Sequence, residues 1–260
     1  MKNFIKAYWK TLLFFMVVGL IGGFFTGIYL LDSYPPDIRQ QLLDSIDADV
    51  FDQVPVNVLM GVITAVQSAV YGLVLGTIGI LLGKETGLWK DERTITKKPL
   101  AASFVIAVAG GLLMILPDML FFGHYSEAIM DYYATKPTIP YMLASVTYGA
   151  VIEEVMLRLF AMTLIAFILH KLFGEKKDKP TTRVLIASNV IAAVLFAVGH
   201  LPATFMLFGN SPAIITRCLL LNGGIGLLLG YLYRKYGLRY AMIAHGGCHI
   251  VSKLIWILFI

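Results

Sequence analysis

The chain is short of charge. Only 14% of its 260 residues are Asp, Glu, Lys or Arg, against roughly 25% in soluble domains. That is too little water-facing material to cover a soluble fold. Its two cysteines, Cys218 and Cys248, both sit in apolar segments, which excludes a disulfide framework and leaves them as small packing residues. There is no internal repeat and no low-complexity tract. His-Glu-x-x-His, the zinc-peptidase pair, is missing, and no serine sits in a Gly-x-Ser-Gly setting. The net charge of +5 does not signal nucleic acid, because the basic residues are distributed as in a membrane topology.

What is abundant is apolar. Hydrophobic residues make up 58% of the sequence, and the mean hydropathy is +0.78. At roughly 20 apolar residues per span, the expected fold is all-α. It is a polytopic membrane helix bundle of about seven transmembrane helices, forming one integral membrane domain over 1–260 with its catalytic helices in about 140–255. The spans are expected near 9–31, 57–83, 100–123, 140–170, 184–208, 214–233 and 240–260. The apolar run from Leu12 to Leu31 follows Lys2, Lys6 and Lys10. It exceeds a signal peptide's core and has no small-residue cleavage site after it, so it reads as a retained first span. The end "WILFI" carries no lipidation or retention signal.

The connectors alternate in charge. The segment 32–55 holds six Asp and one Arg, 84–98 holds five Lys or Arg, 124–138 one Lys, 171–183 five and 234–239 three. With the three N-terminal lysines, sixteen of 21 basic residues fall on one side, against Arg39 and Lys136 on the other. Arg158, Arg217 and Lys253 lie within spans, the last two read as span-end or snorkelling residues. This asymmetry predicts a cytoplasmic N-terminus. Ile38, Leu42, Ile46 and Val50 recur every four residues, the spacing either of a helix on the outer membrane surface or of a packed loop helix. Pro117 is expected to kink or end the third span. Asp118 beside it reads as interfacial, or else as lining a cavity.

Polar residues inside spans carry the functional signal, because a charge at the bilayer centre costs about 2.5–3.5 kcal/mol on insertion scales. "VIEEVMLRLF", residues 151–160, holds three charges. On a helix Glu154 and Arg158, four apart, share a face and pair. Glu153 points elsewhere, and its neighbour at i+4 is Leu157. The motif thus divides into a paired carboxylate and a free one, and a free carboxylate is what a general base requires. Gly149 and Ala150 leave room for a close partner helix. A helix–helix salt bridge explains only one of the two glutamates; a transporter's ion site explains both. His200 stands near the outer end of the fifth span, before Pro202. His245 and His249 share a face of the seventh, with Gly246 and Gly247 between them keeping the backbone reachable. His124 and His170 read as interfacial, and Asn189 and Asn222 as interhelical hydrogen-bond partners.

Together these stretches resemble the CPBP family of intramembrane proteases, which takes in CAAX prenyl proteases and bacteriocin-processing enzymes and is also called Abi. The family motif EExxxR fits at Glu153, Glu154 and Arg158. FxxxH fits at Phe196 and His200, and HxxxN/D at His245, within residues 140 to 255. The departure is His249, which stands where the family has Asn or Asp. The resemblance implies that Glu153 and His200 activate a water, that His245 with His249 holds the oxyanion, and that Glu154 and Arg158 organise the site.

The expected activity is therefore that of an intramembrane endopeptidase acting on a peptide or on a prenylated or membrane-anchored protein tail. Expected partners are that substrate and the lipid bilayer, with no nucleic acid. The expected setting is a multi-pass position, in a bacterial plasma membrane. No cofactor is expected. Zinc is the alternative, held by Glu153, His200, His245 and His249. Two other functions remain open at this stage: a non-catalytic scaffold or bacteriocin-immunity protein of the same fold, and a cation-coupled transporter. As upright helices at 1.5 Å per residue, the four side chains sit at different depths, so tilted helices are expected to bring them together.

Overall fold

The structure, a computed structural model, describes residues 2–44, 54–91, 94–173 and 178–260. The fold is all-helical. Six helices are long and apolar enough to cross a membrane. They are Lys2–Ser33, Val56–Thr86, Lys97–Leu120, Thr182–Gly199 with its short continuation Leu201–Phe208, Pro212–Tyr236 and Leu238–Phe259. The charged stretch lies between the third and fourth of these as continuous helix over 139–173. That helix is the fourth of the seven expected spans, and the spans are numbered accordingly below.

One local expectation changes. The fifth span breaks at His200 rather than running on to 208. Pro202 has no N–H to give the Val198 carbonyl, and its ring crowds that carbonyl. Pro117 lies inside the third span, which continues three residues to Leu120 before Phe121 N–H closes on the Pro117 carbonyl. The connector helix covers Pro36–Asp44, while Ile46 and Val50 lie outside the described residues.

The fourth span is the central helix. Ile152, Val155, Leu159 and Met162 are fully buried, as are Leu229, Leu232 and Tyr233 of the sixth span. In lipid there is no water to expel between helices, so close contact and polar pairing hold the bundle. Small residues provide that contact. A Cβ added at Gly19, Gly23 or Gly27 of the first span would fall 2.7 Å or less from backbone oxygens of Ser68, Thr64 and Met60 in the second. The four-residue spacing of these glycines is a small-residue seam. A second cluster joins Ile115, Phe122, Ile129, Tyr133, Ile214 and Trp256.

Asp118 does not line a cavity wall. It is fully buried and binds Arg217 through two contacts, Nε to Oδ1 at 2.6 Å and Nη2 to Oδ2 at 2.5 Å. Tyr133 donates to the same carboxylate at 2.9 Å. Arg217 therefore does not snorkel; it ties the sixth span to the third. Lys253 does not snorkel either, being only 4% exposed. Asn189 bridges helices, donating to the Leu227 carbonyl at 3.0 Å, whereas Asn222 donates within its own helix to Cys218. Cys218 and Cys248 are free and buried.

Candidate active site

The fourth span is not α-helical throughout. Ser145–Glu153 and Val155–Met162 are π-helical between α-helical ends, Ile139–Ala144 and Thr163–Phe173. A π-turn is wider than an α-turn, and such stretches concentrate at functional sites. The angle between Glu153 and Glu154 is accordingly not that of the α-helix assumed from sequence. The i,i+4 pairing survives: Arg158 Nη1 lies 3.3 Å from Glu154 Oε1. Arg158 Nη2 donates to the Gly226 carbonyl at 3.2 Å, and the guanidinium lies 4.7 Å from the centre of the Phe196 ring. One buried cation thus gathers the fourth, fifth and sixth spans.

Glu154 has a second partner that helical spacing did not reveal. His245 Nδ1 stands 2.9 Å from Glu154 Oε1. A carboxylate in an ion pair only accepts, so Nδ1 carries the hydrogen and donates. The opposite ring nitrogen, Nε2, faces Glu153 Oε2 at 3.9 Å. His245 is buried, and Glu153 keeps 21% of its side chain exposed. The seventh span approaches closely enough for this because small residues line the contact. A Cβ at Gly149 would lie 3.0 Å from His249 Nε2, and one at Gly246 would lie 3.2 Å from the Ala150 Cβ. Gly247 packs instead against Ala107, so these two glycines serve helix contact rather than an open backbone.

His200 holds its ring by Nδ1, 2.8 Å from the Phe196 carbonyl. A carbonyl only accepts, so this nitrogen also donates, and in the neutral ring Nε2 is left as an acceptor. The Phe196 ring stands edge-on to both His200 and His245, at 4.6 and 6.1 Å between centroids. No ion-pair contact within 4.0 Å joins Glu153 to His200 among the described residues; the immediate neighbour of Glu153 is His245. Glu153 and His200 nonetheless line one cavity, of about 640 Å³, together with His249. The helices thus bring Glu153, His200 and His249 to one cavity, whereas His245 does not line it and meets it only through its approach to Glu153.

His249 stacks on His245 at 5.0 Å between centroids. Its Nδ1 lies 3.5 Å from Nζ of Lys253, whose ammonium sits 4.2 Å from the centre of the Tyr141 ring. Lys253 was missed as a site residue, although His245, His249 and Lys253 continue one four-residue spacing. The rest of the wall is aromatic and aliphatic. Tyr29 and Tyr141 stack at 4.3 Å, and Trp256 packs against Tyr133 at 4.9 Å.

Each of the three histidines has its Nδ1 engaged, by Glu154, Phe196 and Lys253 respectively, which by itself leaves Nε2 able to ligate. Among the described residues no three His, Cys, Asp or Glu side chains are grouped closely enough to hold a metal ion, and an ammonium beside His249 opposes a second cation there. The donors as placed do not fit a zinc site. His124 falls in a short 3₁₀ turn and His170 near the end of the fourth span, both away from the cavity wall.

Residues 135–251 match the family model described as Type II CAAX prenyl endopeptidase Rce1-like. That segment contains all three motifs and supports the resemblance to the CPBP and CAAX proteases. No curated protein and no solved structure gives a significant match.

Proposed function

We propose that this chain, whose residues 135–251 carry the match to CAAX prenyl endopeptidases, is an intramembrane endopeptidase that hydrolyses a peptide bond with a water activated by Glu153. The single observation that carries the reading is the 3.9 Å approach of Glu153 to His245 at the wall of a cavity that also contains His200. A partly exposed carboxylate, a histidine fixed by a second carboxylate and a histidine with a free acceptor nitrogen are the parts that water-mediated hydrolysis requires.

In the proposed reaction Glu153 takes a proton from the water while His200 Nε2 accepts the water's other hydrogen and orients it. The oxygen attacks the carbonyl carbon of the scissile bond. His245 gives its Nδ1 hydrogen to Glu154 and, when doubly protonated, offers an Nε2 hydrogen to the oxyanion. His249, stacked beneath it, is the second candidate donor in the position of the family's Asn. Collapse breaks the C–N bond, and Glu153 returns its proton to the leaving amine. Arg158 acts through Glu154 and so positions His245 rather than touching the substrate. No step is routed through a metal. The substrate is a peptide or a lipid-modified protein tail entering from the membrane, and the aromatic wall suits an apolar chain. By the charge asymmetry of the connectors, the part of the cavity lined by Tyr29, Tyr132 and Trp256 lies toward the non-cytoplasmic side.

The test is cleavage. Wild type, Glu153→Ala, Glu154→Ala, His200→Ala and His245→Ala are purified and incubated with S-farnesyl and unmodified tail peptides, with products read by mass spectrometry. The reading predicts a defined internal cut by wild type that Glu153→Ala and His200→Ala abolish without unfolding. A phenotype that survives every one of these changes would mean a scaffold or immunity protein. Ion-dependent uptake without cleavage would mean a transporter.

A further inference from the structure

A second cavity, of about 580 Å³, lies between the start of the first span and the start of the seventh. The hydrolysis described above does not use it. Lys6 and Lys10 of the first span and Arg239 of the seventh line it, all three exposed. Among the described residues none of the three has a carboxylate at ion-pair distance. The one carboxylate of the lining, Asp91, accepts the Tyr8 hydroxyl at 3.1 Å. Connector residues 89–91 hold the wall between the two helices. Tyr8 stands edge-on to Trp89 at 5.9 Å between ring centroids, and Lys90 Nζ donates to the Lys235 carbonyl at the end of the sixth span. The positive-inside pattern accounts for basic residues on this side of the membrane. It does not account for a cavity lined by two of them from one end of the chain and one from the other.

We infer that this cavity binds the phosphate headgroup of an anionic phospholipid, in the leaflet that the connector charges assign to the cytoplasm, and that the lipid clasps the first span to the seventh. Nothing in this site depends on the peptidase reading. Ammonium and guanidinium groups form charge-assisted hydrogen bonds with phosphate oxygens, the guanidinium in pairs. Basic pockets between transmembrane helices on the cytoplasmic side suit such headgroups. The order of residues down both walls selects a lipid over a free phosphate. Lys6, Lys10 and Phe14 are four apart and share one face of the first span, while Arg239 and Met242, three apart, share one face of the seventh. All five line the cavity. At 1.5 Å per residue, Phe14 lies about 6 Å deeper than Lys10, and Met242 about 4.5 Å deeper than Arg239. Each wall thus runs from cation to apolar side chain toward the membrane interior. A glycerophospholipid presents its phosphate and then its acyl chains in the same order. Trp9 and Trp89 also line the cavity, as indoles do at the level of a membrane interface. A soluble phosphate has no use for the apolar half.

The experiment counts bound lipid. The full chain in dodecyl maltoside is mixed with palmitoyl-oleoyl phosphatidylglycerol, or with phosphatidylcholine bearing the same acyl chains, and retained lipid is read by native mass spectrometry. Wild type is expected to hold one phosphatidylglycerol at least about tenfold more tightly than phosphatidylcholine, the ratio that two or three basic residues beside an anionic headgroup supply. Lys10→Gln with Arg239→Gln should bring the two lipids within about twofold, and Lys10→Arg should keep the preference. Lys97→Gln with Lys98→Gln removes two exposed lysines of the same side that do not line the cavity, and should keep it too. Equal retention of the two lipids by wild type, or a preference that survives Lys10→Gln with Arg239→Gln, would overturn the inference. A preference lost to the same extent in the Lys97 and Lys98 control would overturn it as well, since attraction to the overall charge of this side would then suffice. Millimolar inorganic phosphate that displaces phosphatidylglycerol from wild type would assign the cavity to a free anion and reject the lipid. The wild-type lipid and phosphate arms decide the matter even where a variant does not fold.

Discussion

His245 Nδ1 lies 2.9 Å from Glu154 Oε1, joining the fourth and seventh spans across 91 residues of sequence. The same oxygen lies 3.3 Å from Arg158 Nη1, so one carboxylate answers two cationic or donor groups and turns the far edge of the imidazole toward Glu153. The second glutamate of the pair has its explanation here. Glu154 is a positioning residue, and Glu153 is the carboxylate left free for the substrate.

From this arrangement, Glu154→Gln should lower kcat by about 10- to 100-fold, the usual cost of altering the partner that orients a histidine, while KM changes little. Glu154→Ala should in addition destabilise the fold by about 3–5 kcal/mol, because Arg158, 2% exposed, loses its buried partner. Steady-state kinetics and thermal melting of both variants separate the two effects. A Glu154→Gln enzyme with unchanged kcat would contradict the positioning role.

His200 is only half-buried, and among the described residues its side chain hydrogen-bonds a backbone carbonyl. Its removal should leave the melting temperature within a few degrees of wild type. General acid–base groups contribute typically 10²–10⁴-fold, and His200→Ala should lose cleavage within that range. A variant that unfolds, or one that cleaves at the wild-type rate, would count against His200 as the water-orienting group.

The Asp118–Arg217 pair should behave in the opposite way. Asp118 is fully buried and its carboxylate takes Arg217 and the Tyr133 hydroxyl. Asp118→Ala strands a guanidinium and should cost about 3–5 kcal/mol, seen as a large drop in melting temperature. Replacing both partners by apolar residues, Asp118→Leu with Arg217→Met, should recover most of that loss. Failure of the double variant to recover stability would mean that the pair does more than hold the third and sixth spans together.

Treatment with 1,10-phenanthroline should leave the cleavage rate within about twofold, since Glu153, His200, His245 and His249 are not grouped around one point. Elemental analysis of the purified protein accompanies the assay. Stoichiometric zinc whose removal and return abolish and restore cleavage would overturn the metal-free route.

The fold was legible because lipid imposes a strong rule. Long apolar runs must be helices, and the alternation of basic and acidic connectors set seven spans before any coordinate. The Glu154–Arg158 pair was legible from its four-residue spacing. The His245–Glu154 bond was not, because it joins two helices distant in sequence and depends on how closely they pack. The π-helical stretches 145–153 and 155–162 on either side of Glu154 were not legible either, since a periodicity argument assumes an α-helix. The Asp118–Arg217 pair was not legible because the two residues lie 99 positions apart. Lys253 could have been found by extending the spacing from His245 through His249 by one more turn. It was set aside because a lysine near a span end ordinarily snorkels.

The central claim, that Glu153 is the base that activates water, is tested most directly by one substitution. Glu153→Gln keeps the size and a hydrogen-bonding oxygen but does not take the proton. With a tail peptide that wild type cuts, the account predicts that Glu153→Gln retains wild-type peptide binding and melting temperature while its cleavage rate falls by about three orders of magnitude or more, at the upper end of general-base effects. A Glu153→Gln protein that still cleaves within a few-fold of wild type would contradict it.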